Sequence, residues 1–147
     1  MDIDRNAPAT ASGEIVISAV PEVVWDVMAD IDGWPSWSPD IRSAELTGPL
    51  AVGSLFRWKS GSASLTSVLR SVDRPRELGW TGSTMGVKAV HVFRFDPHED
   101  GTLVRSEESW RGILASLLKG YSRKTLDRGI RNWLALLKAE VERRAAA

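Results

Sequence analysis

The chain has 147 residues with zero formal net charge, 43% hydrophobic and 26% charged side chains, and no cysteine. This is the make-up of one globular domain large enough to bury a core. It excludes disulfides, thiol nucleophiles and cysteine-based zinc sites, and no run of about 18 apolar residues is present to form a membrane span. Seven tryptophans stand at positions 25, 34, 37, 58, 80, 110 and 133, against one tyrosine and three phenylalanines. Indoles in such number either fill a core or line a roomy apolar pocket.

Residues 1–12 (MDIDRNAPATAS) are small and polar, which predicts a disordered tail ahead of a single domain over 13–144. The tail carries neither the basic start nor the apolar stretch of a secretory signal, and with the absence of cysteine this predicts a cytoplasmic protein. Gly13 to Ala19 alternates like a strand. Pro21 and Glu22 then open a helix over about 21–30, with Val23, Val24, Val27 and Met28 as its apolar positions. The connector Asp32-Gly33-Trp34-Pro35-Ser36-Trp37-Ser38-Pro39 is too rich in proline for a long helix.

Six strands follow, at about 41–47, 54–60, 63–73, 76–82, 85–96 and 102–111, divided by short Gly, Pro and Asp breaks that imply antiparallel hairpins. From 113 to 144 the pattern becomes helical. Leu126, Ile130, Trp133, Leu137 and Val141 share one face, while Leu114, Leu117, Leu118 and Tyr121 make an earlier face out of phase, so a break is expected near Gly120 to Lys124. Residues 1–50 hold nine acids and two bases, whereas 119–144 hold eight bases and three acids. A basic helix suits nucleic acid or anionic lipid, but a pI near 6.7 and the interleaving of basic with core positions favour a solvated face.

Strand, helix, connector, six strands and a long terminal helix make an α+β architecture, an antiparallel sheet with its helices on one face. This order resembles the START-like superfamily with the helix-grip fold, and within it the polyketide cyclase/dehydrase (SRPBCC) family. The resemblance is carried by Ile15–Ala19 into Pro21–Val27, Asp30–Trp37, Pro75–Trp80, Phe93–Phe95, Asp100–Thr102, Glu107-Glu108 and Trp133–Glu140, over about 13–144. It implies a curved antiparallel sheet of about seven strands wrapped around the C-terminal helix, one or two short helices after the first strand, and an apolar cavity between sheet and helix. It also implies that Trp34 and Trp37 lie near the cavity mouth.

Alternation assigns the faces independently of that resemblance. Charged Arg57, Lys59, Glu77, Lys88, Arg94, Arg105 and Glu107 mark the solvent side. Phe56, Trp58, Leu78, Trp80, Ala89, His91, Phe93, Phe95, Val104, Ser106, Glu108 and Trp110 then point inward, toward the helix that carries Trp133. Trp25 reads as a helix-to-sheet packing residue. The inward polar groups His91 and Glu108 are the candidate acid and base; the competing reading has them simply satisfied by neighbouring polar groups. His98 falls in an exposed turn. No nucleophile elbow, phosphate loop or metal-ligand cluster is present in the sequence.

The leading expectation is binding of a small hydrophobic, aromatic or polyketide-like ligand. Its walls would be Phe56, Trp58, Trp80, His91, Phe93, Glu108, Trp110 and Trp133, with Trp34 and Trp37 at the entrance. No metal, cofactor or nucleic acid is expected, and the chain would act as a monomer or homodimer. The alternative expectation is a cyclase or dehydratase using His91 and Glu108, a third is an interaction module without a ligand that uses the basic helix or an exposed tryptophan patch, and the residues leave all three open.

Overall fold

The computed structural model describes residues 1–147. Strand β1 (Ala9–Ile17) is followed by helix α1 (Pro21–Ala29), a 3-10 helix (Ile31–Ser36) and strands β2 (Ile41–Thr47), β3 (Leu55–Ser60), β4 (Ala63–Asp73), β5 (Glu77–Thr84), β6 (Val87–His98) and β7 (Gly101–Arg111). A short helix α2 (Ile113–Leu117) leads into the long α3 (Lys119–Ala146). The sheet has seven strands in the order β1-β7-β6-β5-β4-β3-β2, every pair antiparallel. It curves around α3 as a helix-grip fold.

Local chemistry explains the main elements. Helix α1 starts on Pro21, whose missing N–H is one the first turn leaves unpaired anyway, and Glu22 lies at the positive end of the helix dipole. Its inner face buries Val24, Trp25, Val27, Met28 and Ala29, and the Trp25 indole donates to the Glu77 carbonyl at 3.0 Å. The proline-rich connector closes as one short 3-10 turn with Pro35 inside it. Helix α3 buries Leu126, Ile130, Leu134, Leu137 and Val141 against the sheet. Gly13 on β1 lets it approach closely, since a Cβ there would meet Ile130 at 3.0 Å and Leu134 at 3.3 Å.

Two expectations differ from the structure. The break between the terminal helices falls at Leu118, ahead of the Gly120–Lys124 segment, because Gly120 sits within α3. Residues 1–12 are not outside the fold: Ala9–Ser12 pair with Trp110–Glu107, giving β7 a partner on its free edge. The segment before them lies across the outer face of the sheet. Ile3 is buried, the Arg5 guanidinium bridges Asp2 and Glu107, and the Asp4 amide donates to Ser109 Oγ at 3.0 Å. A small, polar composition signals disorder only while no sheet edge or facing charge is there to order it. No helix is long and apolar enough to cross a membrane.

Candidate ligand pocket

The inner face of the sheet is organised in cross-strand rows. One row runs Leu78, Phe93, Ser106 across β5, β6 and β7. The next runs Leu69, Trp80, His91, Glu108, and the third runs Phe56, Ser67, Gly82, Ala89, Trp110. The first row is filled, and the second is filled except where Trp80 and Glu108 border the pocket. The third is narrow in its middle, because Ser67, Gly82 and Ala89 stand where its ends carry aromatic rings.

Trp34 plugs the filled end. It is fully buried, and its ring makes edge-on contacts with Phe56 and Trp58 at 5.5 Å and with Trp133 at 5.0 Å, and a tilted contact with Trp80 at 5.4 Å. Edge-to-face pairs each contribute about 1 kcal/mol beyond their burial. The Trp34 indole donates to the Met28 carbonyl at 2.9 Å, so its polar atom is satisfied inside the core. Trp37 packs on Trp133 at 6.0 Å. Neither indole stands at an entrance, contrary to the expectation from resemblance. The 3-10 turn aims Trp34 inward, where it acts as core.

Beside this plug lies a pocket of about 330 Å3, open on one side. Trp58, Trp80 and Trp133 form its floor, Leu65, Trp110 and Leu126 its apolar sides, and Gly82, Ala89 and Gly129 the positions where small residues leave space. A Cβ at Gly129 would meet nothing within 4 Å, so this helix glycine faces open volume. The rim includes Ser83, Thr84 and Val87 of the β5–β6 hairpin and Thr125 of α3. Of the residues expected at the walls, Trp58, Trp80, Glu108, Trp110 and Trp133 line the pocket, whereas Phe56 and Phe93 belong to the packed core and His91 stands one layer behind. Strand β4 supplied walls that the sequence did not reveal, Leu65 and Ser67, because between residues 63 and 69 it carries no charge to mark its solvent face.

The polar groups form one connected chain. Ser106 Oγ lies 2.8 Å from His91 Nε2, His91 Nδ1 lies 3.2 Å from Glu108 Oε1, and the Trp110 indole donates to Glu108 Oε2 at 2.8 Å. Burial holds His91 neutral, pushing its pKa down to about 3. Burial also raises Glu108 to about 7, against the opposing pull of the Trp110 N–H, which favours the carboxylate. Glu108 is 15% exposed and lines the pocket, while its partner His91 is 2% exposed. A carboxyl that titrates near neutrality thus faces an apolar hollow, backed by a neutral imidazole. Ser67, the other central polar wall, is engaged in accepting the Trp58 indole N–H at 3.0 Å.

The structure is similar to several solved ones. It superposes on the hypothetical protein jhp0584 from Helicobacter pylori with a TM-score of 0.81 at 16% identity, over 95% of this chain and 91% of that one. A START superfamily protein from Mycobacterium smegmatis gives 0.74 at 13% identity, over 91% and 97%. The di-domain ARO/CYC protein BexL from the BE-7585A biosynthetic pathway gives 0.76 at 21% identity, with 93% of this chain matching 52% of that one. No curated protein matches the chain by sequence. The family model for polyketide cyclase / dehydrase and lipid transport matches residues 8–142, nearly the whole of the sheet and its helices, and the chain belongs to that family.

Proposed function

We propose that the chain binds a small hydrophobic ligand, aromatic or polyketide-like, in the pocket between the sheet and α3. The observation that carries this reading is the row Ser67–Gly82–Ala89 facing Gly129: four small residues opposite one another keep about 330 Å3 open beside a tryptophan floor. That volume lies at the lower end of the range of small-molecule sites, and apolar walls with a few convergent polar groups are their usual composition. Glu108 is the one ionisable group among them. Protonated it donates to a ligand carbonyl or hydroxyl; ionised it accepts from a phenol. The ligand's flat face packs on Trp110 and Trp133, the less buried indoles of the lining.

The test is titration of the intrinsic tryptophan fluorescence with substituted naphthols and anthraquinones. Saturable quenching is expected for the parent chain, and Ala89→Trp, which fills the hollow, is expected to lose it while keeping the same unfolding midpoint to within a few degrees. Equal quenching of both proteins would sink the reading.

A second reading is favoured by one observation, the contact between Glu108 and His91 together with a carboxyl held near neutral pH. BexL, described as an ARO/CYC protein, adds weight through its similar fold. Glu108 is then the general base for an acidic C–H of a poly-β-ketone, and it returns the proton to the enolate oxygen or a leaving hydroxyl. His91 fixes the carboxyl through Nδ1. Glu108→Gln is expected to keep ligand binding and to lose turnover of a polyketide mimic by about a hundredfold or more; turnover that survives this substitution leaves the chain a binder.

A further inference from the structure

The surface beside the pocket mouth carries the largest concentration of exposed apolar side chains in the molecule. Six of the twelve exposed large hydrophobic residues lie here: Met85 at the tip of the β5–β6 hairpin, and Ile113, Leu114, Leu117, Leu118 and Tyr121 across α2 and the start of α3. Four of these are at least 70% exposed, namely Met85, Ile113, Leu117 and Tyr121. Residues 113, 114, 117 and 118 recur at the spacing of one helix face, and that face is turned to solvent while Ala115 is buried. The hairpin and α2 are one surface, since a Cβ on Gly112 would fall 2.0 Å from the Gly86 carbonyl oxygen. Monomeric proteins rarely leave so continuous an apolar patch in water.

The charge along the segment that carries most of this patch is of one sign. Residues 109–126 contain Arg111, Lys119, Arg123 and Lys124 and no Asp or Glu. All four cations are exposed; Arg111 is paired with Asp4, and Lys119, Arg123 and Lys124 make no ion pair. Aliphatic and tyrosyl side chains projecting from a short helix, ringed by lysine and arginine, match a surface that buries its apolar tips among acyl chains while its cations meet lipid phosphates. A nucleic acid would use the cations and leave the aliphatic groups in water. A protein partner would need an acidic rim around its own apolar socket.

We infer that the α2 face and the β5–β6 hairpin tip dock on an anionic lipid bilayer. The patch is continuous with the pocket rim. Thr84 and Val87 flank the hairpin tip, Trp110 precedes Ile113 by three residues, and Thr125 follows Tyr121 by one helical turn. Docking therefore holds the pocket mouth at the membrane–water boundary, where hydrophobic small molecules partition. The docking surface rests on exposure and charge alone and stands whether or not the pocket binds the ligand proposed above.

The experiment is co-sedimentation of the full chain with vesicles of phosphatidylcholine alone and with about one third phosphatidylglycerol. Binding to the anionic vesicles is expected, weakening as salt rises. Ile113→Asp with Leu117→Asp, at positions exposed enough to leave the fold unchanged by circular dichroism, is expected to weaken it at least tenfold. Lys119→Ala and Lys124→Ala are expected to cost about fivefold each. Quenching by naphthols in solution stays as in the parent for all these variants, which separates failure of docking from failure of the ligand reading. Absence of vesicle binding at low salt, equal binding to both vesicle types, or a double variant that instead abolishes self-association in analytical ultracentrifugation would overturn the inference.

Discussion

Glu108 and His91 are two buried titratable groups displaced in opposite directions, and their consequences for stability oppose each other. Glu108 rises from 4.5 to about 7, so the folded chain holds its proton more tightly than the unfolded one. Its contribution to stability is complete below pH 4.5 and is lost as pH rises to about 7. His91 falls from 6.5 to about 3, so its contribution is complete above pH 6.5 and is lost as pH drops toward 3. Between pH 4.5 and 6.5 the two slopes cancel, each being about 1.4 kcal/mol per pH unit. Glu108→Gln keeps an oxygen for the Trp110 N–H and supplies an amide N–H to His91 Nδ1. The variant is expected to match the parent near pH 4.5 and to exceed it at pH 8 by up to about 3 kcal/mol, read from urea unfolding at both values. A variant no more stable than the parent at pH 8 would contradict the picture of a carboxyl ionised at a cost.

At the scale of elements, charges made the sheet legible. Pairs such as Arg57 and Lys59, Lys88 and Arg94, or Arg105 and Glu107 repeat every second or sixth residue on one face, and the predicted bounds of β2 to β7 fall within two residues of those observed. Size is not legible in the same way. The pocket exists because Ser67, Gly82, Ala89 and Gly129 are small where neighbouring rows are large, and smallness has no periodicity; it acquires meaning only once the register is known. The glycines illustrate the difference. Gly129 lies in the interior of α3 with open space beside it, so Gly129→Ala is expected to stabilise by about 1 kcal/mol. Gly112 has φ of 128° and no room for a Cβ against the Gly86 carbonyl, so Gly112→Ala is expected to destabilise and to unseat α2 from the hairpin. Thermal unfolding of the two variants distinguishes the roles by sign.

Across the whole molecule, the sheet has two covered faces of different kinds. The inner face is covered by α1, the 3-10 turn and α3, an arrangement the element order foretold. The outer face is covered over β5, β6 and β7 by residues 1–5, which the composition alone could not foretell, because their partners Glu77, Arg94 and Glu107 lie about 75 to 105 positions away. Val92 on the outer face is fully buried beneath this strap, together with Ile3. Ile3→Ala is expected to cost about 2 kcal/mol, measured by chemical denaturation; an unchanged midpoint would mean that the strap is not held in solution.

The crowding of the indoles has a spectroscopic consequence. Trp34, Trp37, Trp58, Trp80 and Trp133 are linked by ring separations of 5.0 to 6.3 Å. At such spacing an excited state passes from ring to ring before it emits, and the strong far-ultraviolet indole transitions are expected to couple into a circular-dichroism couplet. Five of the seven indoles are therefore expected to emit as a coupled group, so that a ligand seated against Trp133 in the pocket proposed above is expected to quench more than the one ring it touches.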